Sequence, residues 1–135
     1  MTDFEAQVRA QPKEISDLTE RVGDFLDRGG VDARAAHHAA MILEELLTNL
    51  GTHGGTVDDP AAVRISIESG RVLVEIVDRG PPFDPRATAD PDLAGSVEDR
   101  LVGGLGLFLM RKLASDVDYS RNDGRNRTSF AVARS

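Results

Sequence analysis

Glu45, Asn49 and His53 are spaced four apart within one apolar stretch, so on a helix they stack on a single face. That face carries a carboxylate, an amide and an imidazole in a row. An amide oxygen is a hard ligand that can take one corner of a Mg²⁺ octahedron while phosphate oxygens and waters fill the rest. A carboxylate one turn away can accept the proton of an attacking hydroxyl or water. The row therefore reads as metal-phosphate chemistry, or else as the solvated stripe that Glu and Asn at i, i+4 form on many helices. His53 alone reads equally as a helix-end residue near the negative pole of the dipole.

Two further places carry chemistry. Val72, Val74 and Ile76 alternate with polar residues, and one more step puts Asp78 at the end of the same apolar row. A carboxylate there is costly unless donors reach it. The run Gly103-Gly104-Leu105-Gly106-Leu107 opens a helix read over 107–114, and bare N–H groups at a helix start are a seat for phosphate. Glycines at this point also allow close helix packing, and the run is neither a full dinucleotide fingerprint nor a Walker loop.

The elements that must position these groups follow from periodicity. Residues 3–10 alternate as a short edge strand. After Pro12, Ile15, Leu18, Val22, Phe25 and Leu26 mark one face of a helix that Gly29 and Gly30 end. Residues 35–55 form the central helix, with Asp32 as N-cap, Ala36, Ala39, Ala40, Leu43, Leu46, Leu47 and Leu50 as its apolar face, and Gly54 and Gly55 as its stop. Val63, Ile65 and Ile67, a turn at Ser69-Gly70, and Val72 to Ile76 make a hairpin. Residues 80–102 hold four prolines and show no period, which reads as a lid or as disorder. A second hairpin joins 116–121 to 127–134 through a turn at 122–126, with Thr128 on the face of Phe130 and Val132. Helices covering one side of a mixed, mainly antiparallel sheet give an α+β two-layer sandwich.

With 135 residues the chain suits one domain, residues 1–135, with enough length for a real core. A net charge of −7 argues against direct nucleic-acid binding or an anionic membrane surface. There is no cysteine, which excludes disulfides and thiolate sites and fits a cytoplasmic setting. The start MTDFEAQVRA lacks the basic and apolar parts of a signal peptide, and no apolar run reaches the length of a membrane span.

Taken together, the motifs resemble the GHKL ATPase superfamily with its Bergerat fold, and more narrowly the anti-sigma-factor serine kinases of the RsbW and SpoIIAB type. Glu45-Leu46-Leu47-Thr48-Asn49 with His53-Gly54 matches the N box, and Asp78-Arg79-Gly80 the first glycine box. Residues 103–107 match the second glycine box and 124–130 the closing strand. The resemblance implies an ATP-dependent serine/threonine protein kinase that holds a sigma factor inactive and phosphorylates a STAS-type anti-sigma factor antagonist. It implies Mg²⁺ on Asn49, Glu45 as general base, Asp78 accepting from the adenine amino group, and Gly80 letting the backbone approach the base. Gly103, Gly104, Leu105, Gly106 and Leu107 would hold phosphates, Thr128 would touch the adenine-side network, and His53 would support the phosphate end. The family often forms homodimers. The rival reading is a non-catalytic switch that uses ATP only to set its shape for protein binding. Two departures stand out: Pro82 occupies the place of the second glycine of the first glycine box, and Gly51 should loosen the last turn before His53 by up to about 1 kcal/mol.

Overall fold

The computed structural model describes residues 3–52, 59–87 and 105–135. Strand β1 (Asp3–Val8) leads into helix α1 (Pro12–Arg28) and helix α2 (Ala33–Thr52); strands β2 (Ala61–Ile67) and β3 (Arg71–Asp78) follow. A single 3₁₀ turn (Pro85–Ala87) comes next, then helix α3 (Leu105–Leu113) and strands β4 (Ser115–Asn122) and β5 (Arg125–Ala133). The five strands form one sheet in the order β1-β2-β3-β5-β4. The expected two-layer α+β architecture holds, and every strand pairing among the described residues is antiparallel.

Local chemistry sets each boundary. Pro12 sits in the first turn of α1, where a missing N–H costs nothing. At its other end Gly30 adopts φ +77° and a Schellman motif closes the helix. Val31 N–H reaches Leu26 O at 3.0 Å, and Gly30 N–H reaches Asp27 O at 3.1 Å. Asp32 caps α2 as expected, accepting from Ala35 N–H at 3.2 Å, and also ties the chain end through Ser135 N–H at 3.0 Å. The Ser135 N–H, followed by the Ala35 N–H, holds the Asp32 carboxyl below its ordinary value.

The helices cover one face of the sheet. Phe4, Ile65, Val74 and Phe130 pair in sequence across four strands, and Val63, Ile76 and Thr128 form the adjoining row. Ile15, Leu18, Val22 and Leu26 of α1, Ile42, Leu43 and Leu47 of α2 and Met110 of α3 close the core over these rows. Gly51 lies where α2 passes the β1–α1 corner: an added Cβ would stand 2.6 Å from Ala10 O. The glycine read from sequence as a weak spot in the last turn is thus a close-approach residue. Among the described residues, no helix is long and apolar enough to cross a membrane.

Helix α3 begins at Leu105, two residues earlier than the periodicity of its side chains indicates. Gly106 lies in its first turn. The second hairpin is tighter than expected. Asp123 (φ 54°) and Gly124 (φ 73°) alone make a type I′ turn, so Asn122 pairs with Arg125 and Asn126 with Arg121. The residues 122–126 read as turn are thus mostly strand. His53, Gly103, Gly104 and the greater part of the 80–102 segment lie outside the described residues.

Candidate functional site

Strand register brings the polar groups together. Asp78 pairs with Asn126 on β5, which pairs with Arg121 on β4; one step deeper, Ile76 pairs with Thr128 and Thr128 with Tyr119. Partners directly opposite in an antiparallel sheet point to the same face. A row of carboxylate, amide and guanidinium therefore ends the apolar rows on the helix side. Asn126 is 2% exposed and Thr128 is buried beside it.

The carboxylate is held by donors from two directions. Asp78 Oδ1 accepts the Gly80 N–H at 2.8 Å and Asn126 Nδ2 at 3.0 Å. Asn126 Nδ2 also donates to Pro81 O at 2.9 Å and Gly80 O at 3.2 Å. Its Oδ1 accepts from Arg121 Nη1 at 2.8 Å and from the Tyr119 hydroxyl. Arg121 Nη1 reaches Gly80 O at 3.0 Å, and the Tyr119 hydroxyl accepts the Phe83 N–H at 3.3 Å. Downstream, Asp84 clasps Arg86 at 2.9 Å, and that guanidinium holds the Asp84 carboxyl below its ordinary value.

Helix α2 faces this row. Asn49 is 6% exposed, and its Nδ2 is buried without a hydrogen-bond partner among the described residues. Leu46, Asn49 and Leu50 from α2, Asp78, Asn126 and Thr128 from the sheet, and Pro81, Phe83 and Pro85 from the following segment line a cavity of about 40 Å³. Glu45, one turn before Asn49, is half-buried and is not among these lining residues. A larger cavity of about 590 Å³ lies elsewhere, lined by Val77, Arg79, Arg125 and Arg127. Those residues alternate with Asp78, Asn126 and Thr128 and so face away from α2.

Of the residues singled out from sequence, Asn49, Asp78 and Thr128 line one cleft, and Gly80 is hydrogen-bonded to Asp78 beside it. The sequence reading missed Asn126, Tyr119 and Arg121. The Asp-Gly pair at 123–124 is a strong two-residue hairpin signal, and pairing outward from it would have set Asn126 opposite Arg121.

Asn49 of α2 and Asp78 of the sheet thus line the same cavity. Residues 8–132 match the family described as Histidine kinase-like ATPase domain. The serine/threonine-protein kinase BtrW of Bordetella bronchiseptica is 35% identical over 96 residues, covering 70% of this chain and 68% of the relative. The serine-protein kinase RsbW of Listeria monocytogenes is 27% identical over 124 residues, covering 87% and 79%. The chain belongs to the histidine-kinase-like ATPase family, in the branch of the RsbW-type serine-protein kinases.

Solved structures share the fold. The RsbU and RsbW domains of a Mycobacterium tuberculosis protein superpose with TM-score 0.69 at 15% identity, over 99% of this chain and 33% of that one, so this chain spans about a third of its length. The SiaB–SiaC complex of Pseudomonas aeruginosa gives TM-score 0.63 at 17% identity, over 96% and 89%.

Proposed function

We propose that the cleft between α2 and the ends of β3 and β5 binds Mg-ATP, and that the chain passes the γ-phosphate to a serine or threonine of an anti-sigma factor antagonist. In the same partner-switching scheme it would hold a sigma factor when the antagonist is absent or phosphorylated. The kinase names of the relatives and the motif set support this reading. The observation that carries it is Asn49: an amide buried on the cleft side of α2 with Nδ2 unpaired among the described residues. Such a group costs about 1–3 kcal/mol unless a ligand completes it.

The residues fit magnesium in a limited sense. Among the described residues no cluster of three or more His, Cys, Asp or Glu could cage a metal ion, so a cation would rest on the Asn49 amide oxygen and on oxygens of the nucleotide itself. Magnesium, when bound, neutralises phosphate charge. Asp78 accepts the adenine amino group on Oδ2, since both hydrogen bonds it takes among the described residues end on Oδ1. Gly80 brings backbone close to the base, and Thr128 lines its inner side. Glu45 takes the proton of the incoming hydroxyl. Gly103, Gly104, Leu105, Gly106 and Leu107 offer N–H groups to the phosphates, with His53 at the same end.

Incubation with Mg-ATP and a candidate antagonist tests this. Phosphoserine or phosphothreonine should form, and Glu45→Ala should reduce the rate by about 10²-fold or more while ATP binding persists. Saturable ATP binding with no transfer to any antagonist would instead identify a non-catalytic switch.

A further inference from the structure

The segment after Asp78 has an unusual problem of attachment. Pro81 and Pro82 have no N–H, so for two residues this backbone cannot donate to anything. It is held instead by side chains reaching its carbonyls: Asn126 Nδ2 takes Gly80 O and Pro81 O, and Arg121 Nη1 takes Gly80 O. The next available N–H, on Phe83, goes to the Tyr119 hydroxyl. The orientation of the Asn126 amide is set chemically, because Oδ1 faces two donors and Nδ2 faces three acceptors. Turned over, it would set a carbonyl against a carboxylate and two other carbonyls.

We propose that Asn126, locked by Tyr119 and Arg121, is a positioning residue of the nucleotide site that sets both affinity and base preference. It occupies Asp78 Oδ1 and so leaves Oδ2 for a donor on the base, while pinning the 80–83 segment where the second glycine of the motif is replaced by Pro82. A 6-amino purine presents a donor to that oxygen; a 6-oxo purine presents an acceptor and is refused. If Asn126 no longer fixes the carboxylate, Asp78 can turn, and discrimination between the two purines falls along with affinity. This inference rests on the ATP reading above.

Titrations of Mg-ATP and Mg-GTP into wild type, Asn126→Leu and Tyr119→Phe decide it. Asn126→Leu should weaken ATP binding by about tenfold or more, weaken GTP less, and so narrow the ATP:GTP ratio. In phosphotransfer its KM for ATP should rise while kcat stays within about twofold, a split that a general loss of folded protein does not produce. Tyr119→Phe keeps the ring on β4 and removes only the hydroxyl. It should lose about threefold in ATP affinity and speed hydrogen exchange at the Phe83 amide. Tyr119 is the only tyrosine and the chain has no tryptophan, so wild-type tyrosine emission should change on saturation with ATP. Folded variants that both bind ATP with wild-type affinity and wild-type ATP:GTP ratio would overturn the proposal; should Asn126→Leu not fold, Tyr119→Phe decides alone. Wild-type protein with no saturable ATP binding would remove the nucleotide reading itself, an outcome read from a different sample.

Discussion

Replacing Asn49 by leucine should make the protein more stable and less useful. The side chain is 6% exposed, its Nδ2 has no partner among the described residues, and it borders Leu46, Leu50 and Thr128. An unpaired buried donor carries a desolvation cost of about 1–3 kcal/mol. Leucine removes that cost, is close to asparagine in length, and is the better helix former by a few tenths of a kcal/mol. A gain of about 1 kcal/mol or more is expected, which for a chain of this size is an increase in Tm of about 3 °C or more. Thermal unfolding followed by circular dichroism without nucleotide measures the gain, and calorimetric titration with Mg-ATP measures the loss. The leucine side chain offers no oxygen to a cation and no N–H to a phosphate, so Mg-dependent ATP binding by Asn49→Leu should fall by about tenfold or more. A lower Tm for the variant would show that the amide is already satisfied in the free protein. Retained Mg-dependent ATP affinity would show that it faces no ligand at all. Either result would refute the reasoning that ties the unpaired amide to the nucleotide.

Gly51→Ala should destabilise by about 1–2 kcal/mol, because the clash of its Cβ with Ala10 O at 2.6 Å outweighs the roughly 1 kcal/mol that alanine usually gains in a helix; a rise in Tm would refute the close approach. The Asp32 carboxyl is held below its ordinary value of 3.8 by the Ser135 and Ala35 N–H groups, so its stabilisation is complete above pH 3.8 and is lost as the pH falls through the lower folded-state value. Asp32→Ala should therefore lower Tm near neutral pH, and the gap to wild type should close in acid unfolding scans below pH 3.8; a gap that stays constant would mean the carboxylate contributes nothing through its charge.

What could be read from the sequence, and what could not, divides along the range of the interactions. The α1 and α2 faces, the hairpin strands and the place of Asp78 all follow from periods of 3.6 and 2 that each segment carries within itself. Asn49 and Asp78 could be matched across the cleft because their motifs are local. Asn126 could not be found that way. Its neighbours Asn122, Asp123 and Gly124 favour turns, and only the two-residue geometry of Asp123 and Gly124 puts it back on a strand. Gly51 shows the same limit. Its cost within the helix is a local quantity, whereas its value depends on Ala10, forty-one positions earlier in the chain.

The same division explains why the site sits where it does. The inner-face rows of the sheet are largely apolar where α1, α2 and α3 cover them, with Thr128 already polar in one, and polar groups follow at Asp78, Asn126 and Arg121, beside the end of α2 that carries Asn49. Asn126 is the buried member of this row, and a buried polar group is tolerated only when it is satisfied. Asn126 donates to Asp78, Gly80 and Pro81, and among the described residues Asp78 Oδ2 and Asn49 Nδ2 are left without a hydrogen-bond partner. On the nucleotide reading proposed above, the network holds the cleft in shape before ATP arrives and leaves those two groups for it.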